Sequence, residues 1–317
     1  MGLFDRFRSG KSEAEPKLAV PSWASFFDAE EYREFLEDVR RSLAAPGTTL
    51  EFGDGVVMVT RNGSTTRCGL QNLAQRCRAT PRPKWPQAMT DHFRTSAPSQ
   101  ASLDEFRERI RDFANVREIL KLRIYPHEYV EQGIDVVHWY LAPGLVAVLT
   151  YDLPETVATV HVEHPKSWPL DRDGLYQLGL ENLAHERLAA LEQVKVKGTI
   201  EFTVLGGESF FTSSQVLRLD ELMTSLPSQG AIVALPHRHA LMAFPIRDGS
   251  VGVAIPLMAQ MAAGMYKKGP GSVTPNVYWW REERLVHIPV SIGPKEIAVI
   301  PPLEFADMLG TLGRLPV

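Results

Sequence analysis

A six-residue segment occurs twice in this chain, and it constrains the fold more than any other feature. The first copy reads Gly-Leu-Gln-Asn-Leu-Ala at residues 69–74, and the second reads Gly-Leu-Glu-Asn-Leu-Ala at residues 179–184. Each copy follows strand-like segments and is expected to begin a helix whose leucines and alanine form one apolar face. Self-similarity of this kind is typical of a chain built from related structural units. The sequence therefore predicts two pseudo-repeats.

The order of strand-like and helical segments predicts the fold class. Residues 50–52 and 56–59 flank a Gly-Asp-Gly turn and precede the first repeated helix. Residues 199–205 and 210–214 flank a Gly-Gly turn, and a helix is expected to follow them at 219–226. A parallel α/β sheet would place a helix after each strand. The pattern instead predicts an α+β fold of repeated strand-strand-helix units, with mostly antiparallel sheets covered by helices.

The length of 317 residues fits two domains, at about 150 residues each. Residues 1–21 are predicted to form a flexible tail, because Ser, Gly, Lys, Glu and Pro dominate much of this segment. We expect an N-terminal helix-hairpin-helix module at 22–115 and a C-terminal α+β domain at 116–317.

Charge and cysteine content bear on the kinds of partner and on location. The formal net charge of −4 gives no general attraction to nucleic acid or anionic lipid. The two cysteines, Cys68 and Cys77, would lie about 13 Å apart on a continuous helix, too far for a disulfide. We therefore expect two buried, reduced thiols. The sequence shows neither a secretory signal nor an apolar run long enough to span a bilayer, so a cytoplasmic location is predicted.

An ordered set of short segments carries a resemblance to a known family. The segments are Tyr-Asp-Leu-Pro-Glu-Thr at 151–156, Leu-Gly-Leu-Glu-Asn-Leu at 178–183, Leu-Asp-Glu-Leu at 219–222 and Ile-Val-Ala-Leu-Pro at 232–236. Over about residues 23–312 the chain resembles the YtpQ-like proteins, a bacterial family of unknown function. The resemblance implies a cytoplasmic bacterial protein with an α+β fold and brings no catalytic residues. The family pattern usually has an Arg-Asp pair after the proline, whereas in this chain Arg238 remains and His239 replaces the acid.

Sequence motifs for catalysis or cofactor binding are missing or incomplete. The Gly-Glu-Ser-Phe-Phe segment around Ser209 lacks the final glycine of a nucleophile elbow. The histidines of 161–164 and of 237–239 supply too few ligands for a metal site, which normally needs three or four. No phosphate-binding glycine loop is present. We expect no cofactor and no metal, and the sequence leaves open whether the protein is an enzyme.

Polar residues in the repeated segments are the candidate ligand-binding residues. Asn72 and Asn182 stand at the same place in the two copies, and His185 follows the second copy. One interpretation is that each asparagine satisfies backbone groups of a neighbouring strand or loop. The other is that the two asparagines, with His185, form a polar site between the pseudo-repeats.

A basic segment with one aromatic residue is the candidate for nucleic-acid binding. Its residues are Arg76, Arg78, Arg82, Lys84 and Trp85. Such a loop can hold phosphates and stack a base. The alternative is a solvated, proline-rich connector, and the acidic balance of the whole chain disfavours nucleic acid.

Two pairs of adjacent aromatic residues bear on partner binding, namely Trp139-Tyr140 and Trp279-Trp280. Neighbours in a strand face opposite ways, so one member of each pair can be exposed. Exposed aromatic residues often mark a protein contact. The alternative is a sheet with a core on both faces.

These observations favour a non-enzymatic cytoplasmic protein that binds another protein as an adaptor or regulatory module. The alternative is a hydrolase or small-ligand enzyme whose site lies between the two pseudo-repeats and draws on Asp152, Glu181 and the asparagines.

Overall fold

A computed structural model describes residues 19–61, 63–96, 100–131, 133–153, 156–196, 200–293 and 296–312. The chain divides into two compact units, Met1–Ala97 and Pro98–Val317. Helices accompany sheets in which every described strand pairing is antiparallel, so the predicted α+β class is confirmed. The predicted tail at 1–21 lies outside the described residues up to residue 18.

The first unit is a three-stranded meander packed against helices. Its strands are β1 (Thr48–Gly53), β2 (Val56–Arg61) and β3 (Ser64–Gly69), and its helices are α1 (Ala29–Leu43), α2 (Gln71–Arg78) and α3 (Trp85–Ser96). Asp28 caps α1 by accepting hydrogen bonds from the N–H groups of Glu30 and Glu31, and Glu31 completes a capping box. The apolar face of α1 meets Leu73, Met89 and the Val57 side of the sheet in one buried core.

Both cysteines lie in this core. Burial raises the pKa of the Cys68 thiol to about 11 and that of the Cys77 thiol to about 12. Neither is a thiolate at neutral pH, and the two are not joined by a disulfide. The expected pair of buried, reduced thiols is present.

The second unit holds a four-stranded sheet, a six-stranded sheet and a two-stranded ribbon. The strands are β4 (Leu120–Pro126), β5 (His138–Ala142), β6 (Leu145–Leu153), β7 (Thr156–Thr159), β8 (Glu192–Val196), β9 (Ile200–Gly206), β10 (Ala231–Ala234), β11 (Ala240–Pro245), β12 (Val277–Arg281), β13 (Arg284–Ile288), β14 (Val290–Ile292) and β15 (Ile297–Val299). In the four-stranded sheet β6 pairs with β4, β5 and β7. The six-stranded sheet runs β13-β12-β10-β11-β9-β8, and β14 pairs with β15.

Helices of the second unit cover these sheets. They are α4 (Gln100–Arg111), α5 (Glu128–Glu131), α6 (Arg172–Leu183), α7 (Leu219–Leu222), α8 (Val251–Lys268) and α9 (Leu303–Leu312). The apolar side of α8 packs on β10 and β12. In the four-stranded sheet, α6 packs on β4. The sequence grouped α4 with the N-terminal module, whereas its Ile110 packs here with Leu120 and Leu122.

The six-stranded sheet is buried on both faces. Trp279 belongs to the core under α8, and Trp280 belongs to the core on the opposite face of the sheet. Their exposed fractions are only 2% and 6%. Of the two interpretations of this aromatic pair, the two-sided core is therefore the one that the structure shows.

The repeated segments occupy different places in their helices. Gly69 is the last residue of β3, and α2 begins two residues later. Gly179 lies inside α6, and Ala184 follows its end. The prediction that each copy begins a helix is wrong for the second copy, which lies at the end of a helix that begins at Arg172 and ends at Leu183.

The two glycines also differ in their surroundings. A Cβ on Gly179 would lie 2.9 Å from Cγ of Leu122, whereas a Cβ on Gly69 would meet nothing within 4 Å. Close approach of β4 therefore explains why residue 179 is a glycine, but no such approach explains the glycine at residue 69. The structure thus does not show two equivalent repeats.

The predicted strand at 210–214 is also wrong. This stretch is a turn that enters a 3-10 helix, Ser213–Arg218, and α7 after it is a single short turn. Ser209 explains the turn, because its Oγ accepts from the N–H of Phe211 and its carbonyl accepts from the hydroxyl of Thr212. Such local hydrogen bonds compete with a strand ladder, and β9 pairs with β8 and β11 instead.

Candidate functional site

Strand β4 presents basic and aromatic side chains on one face. Because side chains alternate along a strand, Lys121, Arg123 and Tyr125 share one side, and Leu122 points to the other side toward α6. The turn at 209–212 lies beside this face: Nζ of Lys121 is 5.1 Å from the ring centre of Phe211.

Arg123 lies between two aromatic rings. Its guanidinium carbon is 4.7 Å from the ring centre of Tyr125 and 5.7 Å from that of Phe210. The Nε atom of Arg123 is buried and has no hydrogen-bond partner among the described residues. A buried donor of a charged group is costly when it is left without an acceptor. Arg123 is thus a cation with unused hydrogen-bonding capacity.

Arg238 contacts the same phenyl ring. Its guanidinium carbon lies 4.6 Å from the ring centre of Phe210. Its Nε–H donates to Nε2 of His239 over 2.8 Å, so the other ring nitrogen of His239, Nδ1, carries the proton that is donated to the carbonyl of Ser209. A Cβ on Gly271 would lie 2.7 Å from Cδ of Arg238, so the backbone at Gly271 closely borders this side chain.

His239 is neutral at neutral pH. Burial, followed by the charges of Arg238, His237 and Arg123, lowers its pKa to about 4, against the opposing hydrogen bond to Ser209. His239 therefore orients the guanidinium of Arg238 without adding a negative charge.

His237 and Ser213 complete the surroundings of the two arginines. The N–H of Ser213 donates to the carbonyl of Arg238. Within the described parts of the chain, Oγ of Ser213 and Nδ1 of His237 are both buried without a partner. Burial and the nearby Arg238 lower the pKa of His237. We name this group the arginine–histidine cluster; its members are Arg123, Phe210, Ser213, His237, Arg238 and His239.

Lys121 is adjacent to the cluster but differs in its electrostatics. Its Nζ lies 2.7 Å from Oδ2 of Asp152 and 2.5 Å from Oε2 of Glu186. Burial lowers the pKa of this ammonium, but the hydrogen bonds to the two carboxylates outweigh burial and leave the pKa raised. The positive charge of Lys121 is therefore compensated locally.

An exposed tyrosine lies on the same face of the sheet. The register places Tyr125 opposite Val146 on β6 and Val146 opposite Tyr140 on β5, so the three side chains form one row. The exposed fraction of Tyr140 is 61%. Its neighbour Trp139 is half-buried and packs against Tyr176 in the core beneath the sheet. This aromatic pair therefore has the exposed member that the sequence allowed.

A comparison with known protein families, with curated proteins and with solved structures finds no match to this chain. Among the described residues, no three histidine, cysteine, aspartate or glutamate side chains are arranged to hold a metal ion. Within the same residues, no helix has the length and apolarity needed to cross a bilayer.

The asparagines of the repeated segments lie in different compact units. The amide of Asn182 donates to the carbonyls of Arg117 and Leu120, and thereby satisfies an acceptor on the outer edge of β4. This is the structural role that one interpretation gave it. Asn72 is half-buried and also has an interaction partner, and His185 is exposed.

The basic segment of the first unit is largely paired with acids. Arg76 pairs with Asp91 and Arg78 with Glu31. Arg82 pairs with Glu34 and Asp38, and its guanidinium carbon is 4.0 Å from the ring centre of Trp85. Trp85 is buried and Lys84 is exposed. A shallow cavity of about 310 Å³ lies among these pairs. The ring of Trp85 is therefore engaged in the core and is not presented for stacking.

Sequence patterns did not identify Arg123 or Phe210. They pointed to His237 only as a candidate metal ligand, and to His239 as a candidate metal ligand and as the replacement for the acid of the family pattern. One signal was present: Lys121, Arg123 and Tyr125 alternate with apolar residues in a strand that is otherwise buried. A charged side chain in such a strand requires a partner, because burial of an uncompensated charge is costly.

Proposed function

We propose that the protein is a non-enzymatic binding protein whose second unit recognises an acidic segment of a partner protein. The observation that carries this proposal is Arg123, whose buried Nε has no partner among the described residues and whose guanidinium lies between the rings of Tyr125 and Phe210. A cytoplasmic location and a place among the YtpQ-like proteins belong to the same proposal and rest on the thiols and the sequence segments described above.

Charge complementarity supports an acidic partner. The cluster combines two arginines with histidines whose pKa values are lowered first by burial and then by the charge of Arg238, with a smaller contribution from Arg123 at His239. The chain as a whole is acidic, at −4, so this positive region differs from the rest of the molecule. A carboxylate-bearing segment gains from such a region, especially in its rate of association.

Residue type supports a protein contact. Tyr140 offers a large exposed ring in the same row as Tyr125, and arginine and tyrosine are the residue types enriched at energetically important positions in interfaces. An acidic side chain of such a segment would contact Arg123, and an apolar side chain of the same segment would contact Tyr140.

The alternative of a hydrolase or small-ligand enzyme has less support. It relied on Asn72 and Asn182 acting together, and the amide of Asn182 is occupied by two backbone carbonyls. The thiols that could serve as nucleophiles have raised pKa values.

The test is an array of acidic peptides with interspersed aromatic or aliphatic residues, with lysine-substituted peptides of the same lengths as controls. For a peptide that binds the wild-type protein, we expect Tyr140→Ser to weaken binding about tenfold, the effect of losing about 1.4 kcal/mol. Leu303→Ser is the matched control, because Leu303 is 84% exposed in the same unit. Binding that depends on Leu303 and not on Tyr140, or that prefers the basic peptides, would contradict the proposal.

A further inference from the structure

Buried polar atoms without partners concentrate in the arginine–histidine cluster. Across the described residues, six buried side-chain nitrogen or oxygen atoms lack a hydrogen-bond partner. Three of the six belong to this cluster: Nε of Arg123, Oγ of Ser213 and Nδ1 of His237. Native structures satisfy most buried polar atoms with protein, water or ligand partners, so this concentration calls for an additional partner in the cluster.

Phe210 is a contact that the two guanidinium groups share. Arg123 and Arg238 both lie on its ring, at 5.7 and 4.6 Å from the centre. The ring covers one side of each cation, and the N–H donors of a guanidinium lie along its edges, in the plane of the group. Because His239 takes up only the Nε of Arg238 and is itself neutral, that contact leaves the positive charge of Arg238 in place.

The charge and the donor set fit a tetrahedral dianion better than a carboxylate. Guanidinium groups bind phosphate through paired N–H donors. A phosphate ester carries about −1.5 to −2 charges near neutral pH and three acceptor oxygens. Two arginines offset the charge of a phosphate ester more fully than a single cation would. Ser213, whose N–H donates to the carbonyl of Arg238, adds a buried hydroxyl without a partner among the described residues.

We propose that the arginine–histidine cluster binds a phosphate monoester, with Arg123 and Arg238 as its principal ligands. This inference deepens the proposed function and rests on it, since the phosphate would be carried by the acidic segment of the partner. The same chemistry could be supplied by free phosphate or by a small phosphorylated metabolite, and the titrations below separate these sources.

The test is isothermal titration calorimetry of the full chain with inorganic phosphate, O-phospho-L-serine, L-glutamate and acetate. A second set of titrations uses one acidic peptide in a phosphoserine form and a glutamate form. We expect the phosphoserine peptide to bind at least tenfold more tightly than the glutamate form, and O-phospho-L-serine to bind more tightly than L-glutamate. Equal affinity of the two peptide forms would overturn the inference while leaving the proposed function standing. Tight binding of inorganic phosphate, with no gain from the peptide, would assign the site to free phosphate and would overturn the partner as its source.

Two substitutions and one control locate the site. Arg123→Gln and His239→Asp should each weaken binding of O-phospho-L-serine at least tenfold, the first by removing a cation and the second by placing a carboxylate beside Arg238. Arg40→Gln is the matched control, because the Arg40 guanidinium carbon lies 4.6 Å from the Phe52 ring centre in the first unit. Arg123→Lys, which keeps the charge, covers the case in which the glutamine variant fails to fold. An unchanged affinity in a folded Arg123 variant would overturn the inference.

Discussion

Arg238 donates a hydrogen bond from Nε–H to Nε2 of His239 over 2.8 Å, and this contact requires that His239 be neutral. Protonation of His239 would remove the acceptor and bring a second positive charge against Arg238. Burial, and after it the charge of Arg238, lowers the pKa of His239 to about 4, so protonation of this imidazole in the folded protein costs free energy. Stability and binding at the cluster are therefore coupled to pH through His239, and His237 contributes in the same direction.

The first prediction concerns the pH dependence of folding. In the unfolded chain a histidine titrates near 6.5, whereas in the folded protein His239 titrates near 4. The unfolded state thus binds the extra proton between these values, so the contribution of His239 to stability is complete above pH 6.5 and declines as the pH falls toward about 4. His239→Gln should flatten the urea-unfolding free energy across this range.

The effect should be partial, because the pKa values of His164, His237 and His287 are also lowered and these residues titrate in the same direction. His185→Gln, at an exposed position, serves as the control and should leave the pH profile as it is in the wild type. A His239→Gln profile as steep as that of the wild type would show that His239 is not responsible.

The second prediction compares a buried ion pair with an exposed one. Lys121 is buried between Asp152 and Glu186, and its removal would leave carboxylates without their cation. We expect Lys121→Met to destabilise the protein by about 3–5 kcal/mol in urea unfolding at neutral pH. Lys166 forms an exposed pair with Glu163 at the same 2.7 Å separation as that between Lys121 and Asp152, and Lys166→Met should have a much smaller effect than Lys121→Met. Equal effects of the two substitutions would contradict this account of Lys121.

The third prediction concerns two glycines inside helices. Gly179→Ala would press a Cβ to 2.9 Å from Cγ of Leu122, so we expect a net loss of about 1–2 kcal/mol despite the helix propensity of alanine. Gly264 lies in α8, and a Cβ added there would meet nothing within 4 Å, so Gly264→Ala should stabilise the protein by up to about 1 kcal/mol. Thermal unfolding should show shifts of opposite sign, and shifts of the same sign would refute the close approach of α6 to β4.

The fourth prediction concerns thiol reactivity. Since the thiolate is the reactive form, and burial raises the pKa values of Cys68 and Cys77 to about 11 and 12, both should react slowly with iodoacetamide in the folded protein at pH 7.5. Both should react rapidly in urea. Mass spectrometry of the alkylated peptides distinguishes the two positions, and rapid labelling of either one in the native protein would contradict its burial.

The sequence predicted those parts of the fold that depend on local pattern. The two short apolar segments that flank the Gly-Asp-Gly turn predicted β1 and β2. Helix α6 shows the limit of such reasoning. Its second half carries the repeated segment, but its start is set by Asp171, which accepts a hydrogen bond from the N–H of Gly174. Two nearly identical short segments can thus lie at the start of one helix and at the end of another.

The candidate site could not be predicted because its members come together only in the tertiary structure. Arg123 and Arg238 are distant in the sequence and meet at Phe210, which lies in a turn that the sequence assigned to a strand. The side chain of Ser209 decides that turn through local hydrogen bonds. The replacement of an acid by His239 was visible in the sequence, but its effect on Arg238 depends on burial.

The most direct test of the central claim is hydrogen–deuterium exchange of the full chain with and without an acidic peptide that binds it. The account predicts slower exchange in residues 120–126, 209–218 and 237–239, and this protection should be lost in Arg123→Gln. Protection confined to the basic segment at 76–85, or to the exposed apolar residues of β14 and α9, would contradict the assignment of partner binding to the arginine–histidine cluster.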